Sequence, residues 1–567
     1  MPTAEPPAAA ADARPTASAR SAPAPDVRQI LADRALALLP KILLLEDRTP
    51  LSPTFGCFDR LYWHMRVADF PCGMSQEFCL PLALAFSLPI PGSRFFREPA
   101  LGRWAEAGIR FAARAAHRDG SCDDYYPFER AAGAAAFSLF AALEAADILG
   151  LRADPEIAAF LDRRAAWLAA HRESGRLSNH EALIVACLAR LSRADPARWE
   201  QALAARTARL LSWQHAEGWF DEYGGADPGY LTLTVGMLAL ADRDRPDLGL
   251  RPAIDRAVRF LCAFAHPDGT LGGEYASRAT VNFFPHGLEI AGAWNREALA
   301  LADRLYRRFV CGTAPCHADD RIVGHHVWSQ LLAWREWQQD RPGPLALPEG
   351  VRDFPGARLR VQQEGELRLF CGWSRGLAFR LFDGPRLLAA DTGPSLRLAD
   401  GRVAVTHLEG SRVVERGEAV LEVEGPMAFA RQALLSPGRS ILLRLVMLGP
   451  GRLFPNLIRR LLQRLLVTGV RPAPFRFRRR LAWLPDGALE VSDTIEPQRG
   501  WAAVAEAGRG GFQVSMTTVM ARVFEPAQLQ PWEDLTAEVR ALSPREPWRT
   551  VRRFRAGARA GRGAAAS

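Results

Sequence analysis

Four times in the first half of the chain a helical stretch ends near a His, passes through a glycine into a polar loop, and restarts as a helix rich in small residues. The four glycines are Gly120, Gly175, Gly218 and Gly269, spaced 55, 43 and 51 residues apart. A period near 50 residues holds two helices of about 12 to 18 residues and two loops, so each repeat is an αα-hairpin. The helical pattern runs from about Asp26 to Asp340, enough for about six hairpins. Six hairpins with small-residue inner helices close into a double ring, and because every repeat runs in the same direction, their glycine loops should emerge on one rim.

Beyond Phe354 the pattern changes to short alternating runs punctuated by Gly, Asp and Pro, as in Arg358–Trp373 and Glu418–Gly425, the signature of strands. Prolines 342, 344, 348 and 355 separate the two halves, a stiff linker by composition. The expected organisation is a multidomain α and β chain. A disordered leader (1–26) precedes an (α/α) toroid (27–341), a linker (342–356) and an antiparallel β-sandwich (357–545), and a basic disordered tail (546–567) follows. At 567 residues and 48% hydrophobic content the chain is long enough for two cores.

The formal charge of +9 would suit an anionic partner, but Lys41 is the only lysine in an Ala-rich, Arg-rich sequence. That skew reflects composition bias and indicates no nucleic-acid partner. Part of the excess sits in the tail, at Arg549, Arg552, Arg553, Arg555, Arg559 and Arg562. The nine cysteines are odd in number and scattered, with no Cys-x-x-Cys pair, so reduced, buried thiols are expected, with no disulfide framework, metal or cofactor. The leader lacks an apolar core, which points to a cytoplasmic chain. No run is apolar enough to span a membrane. Leu453–Val470 is apolar but carries Arg459, Arg460 and Arg464 and reads as an amphipathic helix packed on the surface.

The rim loops carry Asp123, Asp124, Tyr125, Tyr126 and Glu129, then Asn179, His180 and Glu181. The next two hold Trp219, Asp221, Glu222, Tyr223 and Tyr230, then Glu274, Tyr275, Arg278, Asn282 and His286. Turn formers in loops need no function, and Asn179 can serve as a helix cap. Rings with polar tips among carboxylates and amides are nevertheless what a sugar groove uses. Two chemistries fit. For β-elimination from a uronate, one group neutralises the substrate carboxylate while a Tyr or His takes the C5 proton; Asn179, His180, Tyr230 and Arg278 suit these roles. For hydrolysis, a pair of carboxylates flanks the glycosidic bond, and Asp123, Asp124, Glu129, Asp221, Glu222 and Glu274 are available.

With Asn179-His180 opening one inner helix and Tyr230 of Asp227-Pro228-Gly229-Tyr230 following 51 residues after Asn179, the chain resembles the heparinase II/III and alginate lyase type of polysaccharide lyase. Gly376–Gly393, which ends in an Asp-x-Gly turn, is similar to a sandwich segment of that family. The resemblance implies a toroid-plus-sandwich enzyme that cleaves an acidic, uronate-containing polysaccharide by β-elimination, in exopolysaccharide metabolism. It assigns carboxylate neutralisation to Asn179 and proton transfer to Tyr230, with His180 nearby. Where the family places a His-x-His-x-Asp motif, Cys371-Gly372-Trp373-Ser374-Arg375 stands here; His286, His325, His326 and His407 are the candidate substitutes. Gln214–Phe220 also resembles the Gln-Trp repeat of terpene cyclases, without their Asp-rich motif. A glycoside hydrolase, a uronyl C5-epimerase and a non-catalytic glycan-binding or assembly protein stay open on the same residues.

Overall fold

The computed structural model describes residues 26–408, 410–430, 436–463, 471–511 and 523–557. The leader up to residue 25 and the end from residue 558 lie outside them. The first half is helical throughout. In chain order it runs α1 (Val27–Leu45), the one-turn α2 (Arg60–Trp63), α3 (Cys79–Ser87), α4 (Pro99–Ala115), α5 (Ala132–Ile148), α6 (Pro155–Ala170) and α7 (Ser178–Ala194). It continues with α8 (Pro196–Leu211), α9 (Pro228–Asp244), α10 (Arg251–Ala263), α11 (His286–Ala291), α12 (Arg296–Val310) and α13 (Val323–Arg335). Helices α3, α5, α7, α9, α11 and α13 pack each against the next, and α13 returns onto α3 to close an inner ring. The inner helices are small-residue rich because they are surrounded: every residue of α5 from Ala132 to Ala146 is buried. Outer helices start on proline after an Asp or Glu cap at α4, α6 and α8, where the missing N–H costs nothing.

The repeat signature is first of all a packing device. The carbonyls of His117, His215 and His266 accept from the N–H groups of Gly120, Gly218 and Gly269 at 2.8, 2.9 and 3.1 Å. These glycines have φ of +90°, +105° and +83°. A Cβ on them would stand 2.6 Å from the Arg163 backbone, 2.2 Å from the Arg256 carbonyl and 2.7 Å from the Arg308 amide. Each turn is therefore pressed onto the next outer helix, and only glycine fits.

The second half holds two antiparallel sheets. The first joins β1 (Val351–Phe354), β2 (Leu359–Glu364), β3 (Leu367–Gly372), β4 (Ala378–Asp383) and β5 (Arg386–Asp391) in that order. The second comprises β6 (Pro394–Leu398), β7 (Val403–Val405), β8 (Arg412–Arg416), β9 (Val420–Phe429), β10 (Pro472–Trp483), β11 (Leu489–Pro497), β12 (Val504–Arg509), β13 (Glu533–Asp534) and β14 (Trp548–Phe554). Its order is β13-β12-β6-β7-β9-β10-β11-β14, with β8 also on β9. Side chains alternate across a strand, so β3 is buried on both faces. Leu369 and Cys371 enter the inter-sheet core with Phe379, Val423 and Phe477, while Phe370 joins the core of the helical ring. Helices α14 (Pro437–Val446) and α15 (Pro455–Gln463) are inserted between β9 and β10.

Three sequence expectations change. The Pro-rich segment is no free linker: β1 pairs with β2, the Phe354 ring lies 5.0 Å from Phe264, and the Gly356 and Ala357 N–H groups donate to Glu217 at 2.8 and 3.0 Å. The tail from residue 546 is ordered at least to its strand β14, which pairs with β11, because Arg552 neutralises buried Asp391 at 2.6 Å; Arg559 and Arg562 lie outside the described residues. Not every thiol is buried, since Cys311 and Cys316 are exposed.

The fold buries many histidines. Burial first, and neighbouring arginines second, depress His266 and His286, the latter to about 3; burial and Arg375 likewise hold His407 at about 3. His317 and His326, with ring centroids 3.9 Å apart, are lowered too, chiefly by burial. A depressed folded-state value means that the unfolded chain binds more protons, so stability falls as pH drops below about 6.5. Each such histidine should cost about 1 kcal/mol by about pH 5.5. Thermal melts from pH 7.5 to 5 are expected to show a steep fall in Tm, and His286→Gln should flatten the slope.

Candidate functional site

Two buried carboxylates organise one stretch of the rim. Glu222, on a short bridge with Leu177, accepts from Ser178 Oγ at 2.9 Å and from Asn179 Nδ2 at 3.0 Å. It thereby ties the start of α7 to the loop before α9. Asp227 caps α9 by accepting from the Tyr230 N–H at 2.9 Å. The same oxygen accepts from the Thr280 hydroxyl, and the other accepts from the Arg278 N–H at 3.1 Å. One side chain therefore fixes the backbone beneath both Tyr230 and Arg278.

Burial pushes the Glu222 carboxyl above the usual range, against the pull of Arg278 and His180 and the bonds from Ser178 and Asn179. Burial also opposes the charge of Arg278, but Tyr230, Tyr223, Glu222 and Asp227 together hold its guanidinium above the ordinary value. That guanidinium lies 4.2 Å from the Tyr223 ring centroid. Tyr223 itself sits at φ +57°, a left-handed conformation that costs a bulky residue strain and occurs most often where function demands it. His180 is oriented by Glu173, whose Oε2 lies 2.8 Å from Nδ1. Its ring lies against Gly133 of α5, where a Cβ would stand 2.4 Å from Cε1 and 2.6 Å from Nε2.

Asn179 bonds Glu222, His180 and Arg278 lie close enough to shift its carboxyl, and Tyr230 lies close enough to Arg278 to shift its guanidinium. They are not equivalent: Asn179 and Glu222 are fully buried, whereas His180, Tyr223, Tyr230 and Arg278 are part-exposed. Asn179 is a second layer under the exposed face and does not itself present an amide to the mouth. The neighbouring loop carries Asp124, Tyr125 and Glu129. There Glu129 accepts from the Asp124 and Tyr125 N–H groups at 3.1 and 2.7 Å, and Asp124 accepts from Cys72 Sγ at 3.0 Å. Tyr125 is exposed beneath Arg321, 5.1 Å from its ring.

Five further residues expected to bind substrate are buried. Trp219 stacks on His215 at 4.9 Å and donates to Glu217 at 2.9 Å, in the seam with the sheets. Glu274 forms a two-pronged ion pair with Arg380 of β4, both bonds 2.7 Å. Tyr275 is fully buried, its hydroxyl 2.9 Å from His266 Nε2. His286 is fully buried against Ser329, at 2.8 Å, and Asn282 is buried beside Gly229. The sandwich covers part of the rim, so residues on the covered loops became interface.

Two residues escaped the sequence reading. Glu173, in the loop before α7, orients His180. Arg375, in the turn after β3, donates to the Ser277 carbonyl beside Arg278; it stands where the resembled family has its histidine motif, the one signal that pointed to it. His407 is buried and close enough to Arg375 to feel its charge.

No family model and no curated protein matches the chain. Among solved structures it is similar to a Paenibacillus xanthan lyase, at 10% identity and TM-score 0.47 over 85% of this chain and 46% of that one. A Streptomyces coelicolor A3 chondroitin AC lyase, solved with chondroitin sulphate, gives 13% and 0.46 over 87% and 69%, and a heparinase III gives 11% and 0.38 over 86% and 72%. The chain therefore spans less than half of the xanthan lyase. With TM-scores under 0.5, none of these likenesses bears on what the rim does; its chemistry rests on its own residues.

Proposed function

We propose that the protein cleaves an acidic, uronate-containing polysaccharide by β-elimination at the cluster around Glu222. What supports this reading is one juxtaposition: a buried-base arginine, Arg278, beside two proton-handling groups, Tyr230 and His180, on a single part-exposed face. When the C5 proton of a uronate leaves, negative charge builds on the substrate carboxylate, and a fixed cation at that point lowers the barrier. The electron pair then forms the C4–C5 double bond, and the C4–O bond breaks with its electrons on the leaving oxygen, which takes a proton. Tyr230 and His180 serve as the proton-transfer groups, Arg278 as the neutralising group, and Asn179, Glu222, Asp227 and Glu173 as positioning residues. Hydrolysis has less support. Asp123 is committed to the backbone N–H groups of Phe128 and Arg130 at 2.7 and 3.0 Å, Glu129 to its own loop, Glu274 to Arg380, and Glu222 to α7. An exopolysaccharide as the natural substrate belongs to the same proposal.

The test is incubation with a panel of uronate polymers. Elimination produces a conjugated, ultraviolet-absorbing unsaturated uronate together with each new reducing end; reducing ends without that absorbance would replace the proposal with hydrolysis. Gly133→Ala probes the positioning of His180. Alanine regains about 1 kcal/mol of helix propensity, against about 1 to 3 kcal/mol for overpacking, so the fold should survive. The displaced imidazole should cost on the order of 100-fold in kcat, the scale of a 1 Å misplacement.

A further inference from the structure

The α14–α15 hairpin is unlike the rest of the surface. On α14 and the turn after it, Ile441, Leu442, Leu445 and Leu448 are each 58% exposed or more. Leu453, Phe454, Leu457 and Leu461, on α15 and the turn before it, are each 52% exposed or more. These eight are among the 22 large apolar side chains that are exposed among the described residues, and they fall within 21 residues of sequence. The expected surface-packed helix is therefore corrected: other residues do the packing. Met447 is fully buried, Arg444 pairs with Asp69 at 2.8 Å, and Arg452 covers the Phe128 ring at 5.2 Å. The last seven residues of the expected helix, 464–470, lie outside the described residues.

Charge identifies what covers the apolar face. Residues 436–463 contain Arg439, Arg444, Arg452, Arg459 and Arg460 and no Asp or Glu, and no acidic residue occurs anywhere between Glu424 and Asp486. A second copy docked face to face would set arginines against arginines, which like-charge repulsion opposes. A surface that is both apolar and anionic matches both properties. No helix among the described residues is long and apolar enough to cross a membrane, so such a hairpin would lie in the interface. We propose that α14–α15 docks the protein on an anionic lipid bilayer, its leucines and phenylalanine entering the boundary between headgroups and acyl chains and its exposed Arg439 and Arg460 meeting lipid phosphates. Because Arg452 seats the hairpin on the loop that carries Tyr125, docking would bring this side of the rim to the membrane.

The experiment is vesicle flotation of the full chain. Binding is expected to vesicles containing about one-third phosphatidylglycerol and not to pure phosphatidylcholine, and to weaken at least about tenfold between 0.1 and 1 M salt. Leu445→Asp with Leu457→Asp should lower partition by about tenfold or more, and Arg460→Glu by about fivefold. Circular dichroism should be unchanged, since these side chains are exposed. Equal binding to both vesicles, or undiminished binding by the double variant, would overturn the proposal. So would a dimer in sedimentation velocity that the double variant converts to monomer, because a second copy would then cover the face.

Discussion

Tyr230→Phe is expected to lower kcat on a uronate polymer by about a hundredfold to ten-thousandfold, the range over which a positioned proton-transfer group contributes. The substitution removes one oxygen and leaves the ring. The Tyr230 N–H to Asp227 bond that fixes the start of α9 is a backbone bond, so the variant should fold and melt as the parent does. Binding should persist, because Arg278 and Tyr223 remain: a fall in kcat with little change in KM separates a proton-transfer role from a binding one. Turnover at the parent rate would remove Tyr230 from the reaction.

Arg380→Met is expected to have the largest effect on stability. Arg380 is 1% exposed and lies between Glu274 and Glu525, the latter next to the Phe524 bridge to Cys316. Removing one partner of a buried pair while leaving the other charged costs about 3 to 5 kcal/mol, and here two carboxylates are left. Burial already holds the Glu525 carboxyl above the usual range despite Arg380, and without the arginine it should rise further. The variant's deficit should therefore be greatest at neutral pH and shrink in acid, as the carboxylates take up protons instead of remaining charged. Glu274→Gln with Glu525→Gln, added to Arg380→Met, should recover part of the loss. Chemical denaturation of the single and combined variants checks this, and a single variant as stable as the parent would show the bridge to be dispensable.

Both expectations involve residues that looked alike in the sequence. Tyr230 and Tyr275, or Arg278 and Glu274, occupy comparable polar loops after comparable glycines. Nothing in local composition separates the loops that stay open from those the sheets cover. Tyr230 stays part-exposed, whereas Tyr275 disappears beneath β3, where Gly372 leaves room for its carbonyl. His286 went astray for a related reason. Its place at the start of an inner helix suggested the mouth, but the helix faces the ring interior, where the imidazole meets Ser329. Glu173 carried no motif of its own, and Arg375 had only its place at the resembled family's histidine motif; each acts through a single contact, on the His180 ring or on the Ser277 carbonyl.

By itself, the sequence determined the hairpin repeat, the change from helical to strand periodicity, and the expectation that the glycine loops share one rim. Repetition and side-chain period are local properties, and identical units stacked in one direction must align their loops. Tertiary structure alone decided which rim residues face solvent and which face the sheets. It also put a buried glutamate under the exposed cluster and left the α14–α15 leucines outside. Burial depends on which surfaces meet across hundreds of residues, and a chain read one neighbourhood at a time carries no record of that meeting.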